Sequence, residues 1–144
     1  MVKIAIINGP NLNLLGRREP EIYGNRTFED YLEELKTSYS NVTFHYFQSN
    51  HEGSLIDKLQ EIGFDSDGII LNAGGYTHTS IALHDCIKAI TTPVIEVHIS
   101  DIYKREAFRH HSMIQAACIQ TFAGYGMDSY RMAIDAILKL KIKG

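Results

Sequence analysis

Glu96 and His98 stand two residues apart in Pro93-Val-Ile-Glu-Val-His-Ile-Ser100, an otherwise apolar run. Such a run reads as a buried strand, and the two-residue spacing puts both side chains on one face of it. A buried carboxylate is costly unless something pairs with it, and an imidazole held by a carboxylate is ready to give or take a proton. His98 is therefore a candidate acid or base whose tautomer Glu96 fixes. A satisfied core histidine is the reading that this strand, taken alone, leaves open. Where the chain leaves the strand, the amides around Ile99 and Ser100 can bind a carboxylate. Arg105 and Arg109, four apart in a short helix expected over residues 105–111, add positive charge to the same place.

Two further segments carry chemistry-bearing residues. The loop over residues 8–24, Asn-Gly-Pro-Asn-Leu-Asn-Leu-Leu-Gly-Arg-Arg-Glu-Pro-Glu-Ile-Tyr-Gly, far exceeds the usual strand-to-helix connection of roughly 2–6 residues, a mark of lids and binding loops. It lacks the GxGxxG spacing of a dinucleotide site and the GK[ST] ending of a phosphate loop. It offers Arg17, Arg18 and Tyr23 instead, and a guanidinium beside a phenol favours the phenolate. Judged on the loop alone, a packing role for Tyr23 with solvated arginines explains these residues at least as well. In Asn72-Ala-Gly-Gly-Tyr-Thr-His78, Gly74 and Gly75 let the backbone turn tightly and approach a ligand, while Asn72 and His78 supply neutral hydrogen-bonding groups. Here too a plain helix cap at Thr77 or Thr79 with an exposed His78 remains open.

The elements that must position these segments alternate regularly. Buried or alternating runs predict strands over residues 3–7, 42–47, 68–71, 93–97 and 118–123. Between them fall helical patterns. Thr27 is an N-cap before Phe28, Tyr31, Leu32, Leu35 and Tyr39. Ser49 to Glu52 has capping-box form before Leu55, Ile56, Leu59 and Ile62. Residues 79–90 and 128–141 supply two more helices, the last turning Tyr130, Ala133, Ile134, Ile137 and Leu138 to the sheet. Strand–helix alternation implies an α/β fold, a parallel sheet covered on both faces. Five strands suggest a flavodoxin-like three-layer sandwich of order 2-1-3-4-5, in which ligands bind beyond the carboxyl ends of the strands near the switch between strands 1 and 3. The three unusual segments fall after strands 1, 3 and 4, where this rule puts a site.

Composition narrows the function classes. The 144 residues suit a single domain, residues 1–144, able to bury a core without disulfides or structural metal. Cys86 and Cys118 lie in apolar surroundings and read as core residues of a reducing compartment. No run is long and apolar enough for a leader or membrane span, so a cytoplasmic protein is expected, with no membrane partner. A net charge of −3 without a basic, aromatic-interleaved cluster argues against nucleic acid. The histidines lack ligand spacing and there is no CxxC pair, so no metal is expected.

Taken together, NGPNLNLLGRREPEIYG, ILNAGGYTHTSIAL and PVIEVHISDIYKREAFRHHS resemble the type II 3-dehydroquinate dehydratases, and with the element order the resemblance spans essentially the whole chain. It implies reversible, cofactor-free dehydration of 3-dehydroquinate to 3-dehydroshikimate in the shikimate pathway by an anti elimination, and a homododecamer built as a tetramer of trimers. It also implies roles. Tyr23 would be the base that removes the proton next to the ketone, with Arg18 keeping the phenolate accessible. His98, oriented by Glu96, would protonate the departing hydroxyl, and Asn11 would stabilise the enolate oxygen through a water. Asn72, His78 and Arg109 would bind the substrate's hydroxyls, with Gly74 and Gly75 in the same loop. Ile99 and Ser100 would hold its carboxylate, and Asp85 would reach a neighbouring subunit's site. Arg105 matches a loop-facing arginine without a firm role. Tyr76 and His84 depart from residues common in the family, but neither touches the proton transfers.

The chemistry is coherent with the residues. A proton next to a ketone is weakly acidic, so elimination needs a base and oriented polar groups for the carbonyl oxygen. A lysine Schiff base is the other route, and every lysine except Lys104 falls outside the three loops. Two competing classes are a flavodoxin-like scaffold without turnover, which needs neither acid nor base, and a flavin or nucleotide carrier, which needs the absent phosphate loop.

Overall fold

Five parallel strands form one sheet in the order β2-β1-β3-β4-β5. They are β1 (Val2–Asn8), β2 (Val42–Gln48), β3 (Gly68–Asn72), β4 (Val94–His98) and β5 (Gln120–Ala123), joined by helices α1 (Phe28–Ser38), α2 (Glu52–Ile62), α3 (Ile81–Ala89) and α4 (Asp128–Lys143). The structure is a computed structural model that describes residues 1–17, 21 and 25–143. The expected strand order and helix alternation are those observed. Tyr23 and Arg18 lie outside the described residues.

Strand alternation sorts the core into two halves. Ile4, Ile6, Ile70 and Val97 pack under α1 and α4, against Phe28, Leu35, Tyr130, Ile134 and Ile137. Ala5, Ile7, Ile69, Leu71 and Val94 point the other way, against Leu55 and Leu59 of α2 and Leu83 and Ile87 of α3. A central parallel strand flanked by helices on both sides needs apolar residues at every position, which is why β1 and β3 read as continuous runs rather than alternating ones. Glu96 and His98 share the parity of Val94 and so lie on the α2/α3 side.

Local chemistry differs from the expectation in three places. The capping box does not form: α2 begins at Glu52 after His51, with no side-chain cap. The Ser49 amide instead donates to the Asn8 carbonyl at 3.0 Å, prolonging the β1–β2 ladder past the strand ends. The Glu52 carboxylate takes the Ser80 hydroxyl at 2.5 Å. Ser80, rather than Thr77 or Thr79, caps α3, accepting from the Leu83 amide at 2.9 Å. Third, residues 105–111 form no α-helix. Two single 3-10 turns, Ile102–Lys104 and Ala107–Arg109, flank Arg105, whose extended backbone (φ −102°, ψ −165°) interrupts any longer helix. The segment is too short to repay the cost of an α-helical nucleus. The loop after β3 likewise winds into a 3-10 turn over Gly74–His78.

Candidate functional site

The carboxyl ends of β1, β3 and β4 surround a cavity of ≈ 110 Å³. Asn11 and its neighbours Pro10 and Leu12 line it from the β1 loop; Asn72, Gly74, Gly75 and His78 line it from the β3 loop. His98, Ile99, Ser100, Ile102, Arg105 and Arg109 complete the wall after β4. The three segments singled out from sequence therefore converge, and Arg105 and Arg109 face one space although no helix relates them. Asp85 is exposed on α3, away from this cavity. A larger concavity of ≈ 460 Å³ runs between β5 and α4, but it gathers mainly apolar residues and Asp135, Lys139 and Lys143, with none of the convergent polar groups.

At the floor, His98 donates from Nε2 to Glu96 Oε2 at 2.5 Å, which leaves Nδ1 for a ligand. Glu96 is fully buried. Its carboxylate survives there because every direction is met: Ser112 Oγ also donates to Oε2 at 2.7 Å, and Thr121 Oγ1 donates to Oε1 at 3.0 Å. Burial alone pushes the carboxyl upward, but the His98 hydrogen bond and charge, with the Ser112 and Thr121 hydroxyls, outweigh it and hold Glu96 below the usual carboxylate range. Glu96 is thus an ionised partner for the imidazole. Neither hydroxyl was recognised in the sequence. Thr121 owes its place to the register that pairs it with Glu96 across β4 and β5, and Ser112 owes its own to the turns that return the chain over β4.

The opposite wall rests on a second buried network. Asn8 and Asn72 end β1 and β3 in register. Tyr130, fully buried on α4, donates its hydroxyl to Asn8 Oδ1 at 2.8 Å and accepts from Asn72 Nδ2 at 3.0 Å. Asn72 Oδ1 accepts the Gly74 amide at 3.2 Å, so the side chain that lines the cavity is held at both ends. The helical period places Tyr130 toward the sheet, but its polar task depends on which strand ends lie beneath it.

His78 Nδ1 meets the His111 carbonyl at 2.8 Å, which makes Nδ1 the donor and Nε2 the acceptor. Desolvation lowers its pKa, and the nearby positive groups His98 and Arg109 add to this against the His111 hydrogen bond. His78 is therefore a neutral hydrogen-bonding group. Arg109 is oriented by Glu106, Nε to Oε1 at 3.0 Å.

Two glycines are required. Gly74 adopts φ +59°, and a side chain there would meet the Pro10 carbonyl oxygen at 3.0 Å. Gly9 sits where a Cβ would come within 2.5 Å of the Ala73 carbonyl oxygen, so only glycine lets the β1 and β3 loops touch. At Gly75, by contrast, a Cβ would meet nothing within 4 Å; the space it leaves opens to the cavity.

Among the described residues no group of three or more histidine, cysteine, aspartate or glutamate side chains is placed to hold a metal, and no helix is long and apolar enough to cross a membrane. What the arrangement offers is a carboxylate-held imidazole at one side of a small polar cavity, with neutral amides, a second imidazole and arginines around it. Such a site can deliver or accept one proton at a small anionic, hydroxylated ligand.

Residues 2–138 match the family model described as dehydroquinase class II. The 3-dehydroquinate dehydratase of Chlorobaculum tepidum is 50% identical over 139 residues, covering 94% of this chain and 93% of that protein. That of Caldicellulosiruptor bescii is 49% identical over 143 residues, covering 97% and 99%. Among solved structures, the type II dehydroquinase of Butyrivibrio crossotus superimposes with a TM-score of 0.90 at 45% identity, covering 95% of this chain and 97% of that one. The Propionibacterium acnes type II dehydroquinase gives 0.91 at 34% identity, covering 96% and 97%.

Proposed function

Since the chain belongs to the class II dehydroquinase family, we propose that its cavity dehydrates 3-dehydroquinate to 3-dehydroshikimate, the hydro-lyase step of that family in the shikimate pathway. The observation that carries this reading is the Glu96–His98 pair at 2.5 Å on the floor of a cavity walled by Asn11, Asn72, His78, Arg105 and Arg109.

The reaction proceeds by anti elimination through an enolate. Tyr23, as a phenolate that Arg18 keeps accessible, removes the proton next to the ketone. The electron pair moves onto the carbonyl oxygen, where Asn11 stabilises it through a water. Collapse of the enolate expels the hydroxyl as His98, held in place by the Glu96 carboxylate, gives it a proton. Asn72, neutral His78 and Arg109 hold the ring hydroxyls, with Gly74 and Gly75 leaving room for them, while Ile99 and Ser100 bind the carboxylate. Asp85, on the exposed face of α3, completes a neighbouring subunit's site in a dodecamer of four trimers. The whole chain acts as one catalytic domain in the cytoplasm. The steps need acid, base and oriented dipoles, so the residues themselves suffice without a cofactor.

The test follows the conjugated enone product by absorbance with purified native protein and Tyr23→Phe. Native turnover with loss of at least about 100-fold in kcat on Tyr23→Phe supports the reading, the usual scale for removing a general base. Binding of 3-dehydroquinate without turnover by the native protein would favour a non-catalytic scaffold. Full rate in Tyr23→Phe would remove the base assignment.

A further inference from the structure

Asn11 is the one non-glycine residue with a left-handed backbone (φ 71°) among the described residues. L-residues rarely adopt this conformation, and its own side chain makes no capping hydrogen bond to hold it there. The hold comes from outside the cavity. Just past β2, Asn50 Oδ1 accepts the Asn11 amide at 3.0 Å. The same oxygen accepts Gln48 Nε2 at 3.2 Å, and Gln48 Nε2 also reaches the Gly9 carbonyl at 3.2 Å. On its other side, the Asn50 carbonyl accepts the Tyr76 hydroxyl at 2.8 Å. Tyr76 sits in the middle of the 3-10 turn that carries Gly74, Gly75 and His78. Asn50 is thus a tie between the β1 and β3 walls of the cavity, although it does not itself line the cavity.

We propose that Asn50 is a positioning residue that fixes Asn11 in the left-handed conformation its catalytic role requires. The inference rests on the dehydratase reading above, in which Asn11 serves the enolate oxygen. A group that acts only as charge develops on that oxygen affects kcat more than KM. Both side-chain contacts of Asn50 use Oδ1 as an acceptor. Aspartate therefore keeps them, and leucine, branched alike at Cγ though larger, removes them.

The experiment compares native enzyme, Asn50→Leu, Asn50→Asp, Asn11→Ala and the Asn11→Ala/Asn50→Leu double variant, all as the native assembly. Asn50→Leu is expected to lower kcat by about tenfold, the scale of one oriented hydrogen bond, with KM changed less than about threefold. Asn50→Asp recovers most of that loss. In the Asn11→Ala background, Asn50→Leu costs less than about twofold more, because the two act as a unit. Independent, multiplicative losses, an aspartate as poor as leucine, or full rate in Asn50→Leu would each overturn the proposal. Hydrogen exchange at the Asn11 amide reads the tie without turnover: protection in native and Asn50→Asp protein, and about tenfold faster exchange in Asn50→Leu. If native protein fails to turn over, the reaction assignment falls and the exchange result alone decides the tie; equal exchange in all three would break it.

Discussion

Replacing Glu96 by glutamine isolates charge from shape. The present hydrogen bonds dictate how the amide sits. Its oxygen takes the Oε2 position, where His98 Nε2 and Ser112 Oγ both donate. Ser112 Oγ already accepts from the Ile114 and Gln115 amides at 3.3 and 3.1 Å, so it has no room to accept a third donor. The amide NH2 then falls at the Oε1 position, opposite the Thr121 hydroxyl, which can turn and accept. Each end of the amide keeps a partner, so the fold survives. What is lost is one negative charge beside the imidazolium. Two unit charges about 4 Å apart at an effective dielectric of about 20 interact by about 4 kcal/mol. A neutral hydrogen bond from the glutamine oxygen retains about 1 kcal/mol of this. The remaining 2–3 kcal/mol, at about 1.4 kcal/mol per decade, is about 30- to 150-fold in kcat. Initial-rate measurements of enone formation should show that loss with KM within about threefold. Native-like kcat in a folded Glu96→Gln protein would refute the role given to the carboxylate. A fall in melting temperature large enough to explain the lost activity would refute the orientation argued for the amide.

The same carboxylate ties stability to pH. Its folded pKa lies below the usual value, so its stabilisation is present above about pH 4.3 and is lost as pH falls through the folded value. Thermal melts should therefore fall less steeply on acidification for Glu96→Gln than for native protein, and parallel curves would contradict this. Tyr130→Phe removes a hydroxyl that serves both Asn8 and Asn72. Two buried polar groups lose a partner at about 1–3 kcal/mol each, so denaturant titration should show a loss of about 2–6 kcal/mol together with a raised KM from the loosened Asn72. Gly9→Ala drives a methyl into the Ala73 carbonyl at 2.5 Å. It should cost at least about 2 kcal/mol, because backbone cannot retreat as a side-chain tip can, and an unchanged melting temperature would contradict the packing.

The order of periods along the chain was enough for the architecture, because apolar spacing is local and the crossover rule permits few ways to stack five parallel strands. It was also enough to bring Asn11, Asn72, His78, His98 and Arg109 to one sheet edge, since loops that follow strands 1, 3 and 4 must meet there. Glu96 and His98 could be paired from a spacing of two. Their further partners could not. Thr121 reaches Glu96 through inter-strand register, Tyr130 reaches Asn8 and Asn72 through the way α4 lies across the sheet, and Asn50 reaches Asn11 and Tyr76 across three separate elements. The capping box at Ser49 fails because hydrogen bonds to distant residues competed with the local pattern, whereas the helix around Arg105 is missing because the segment is too short to nucleate one. Contacts between neighbours in sequence are written in residue spacing, whereas these depend on relative placement of packed elements, which only the folded chain decides.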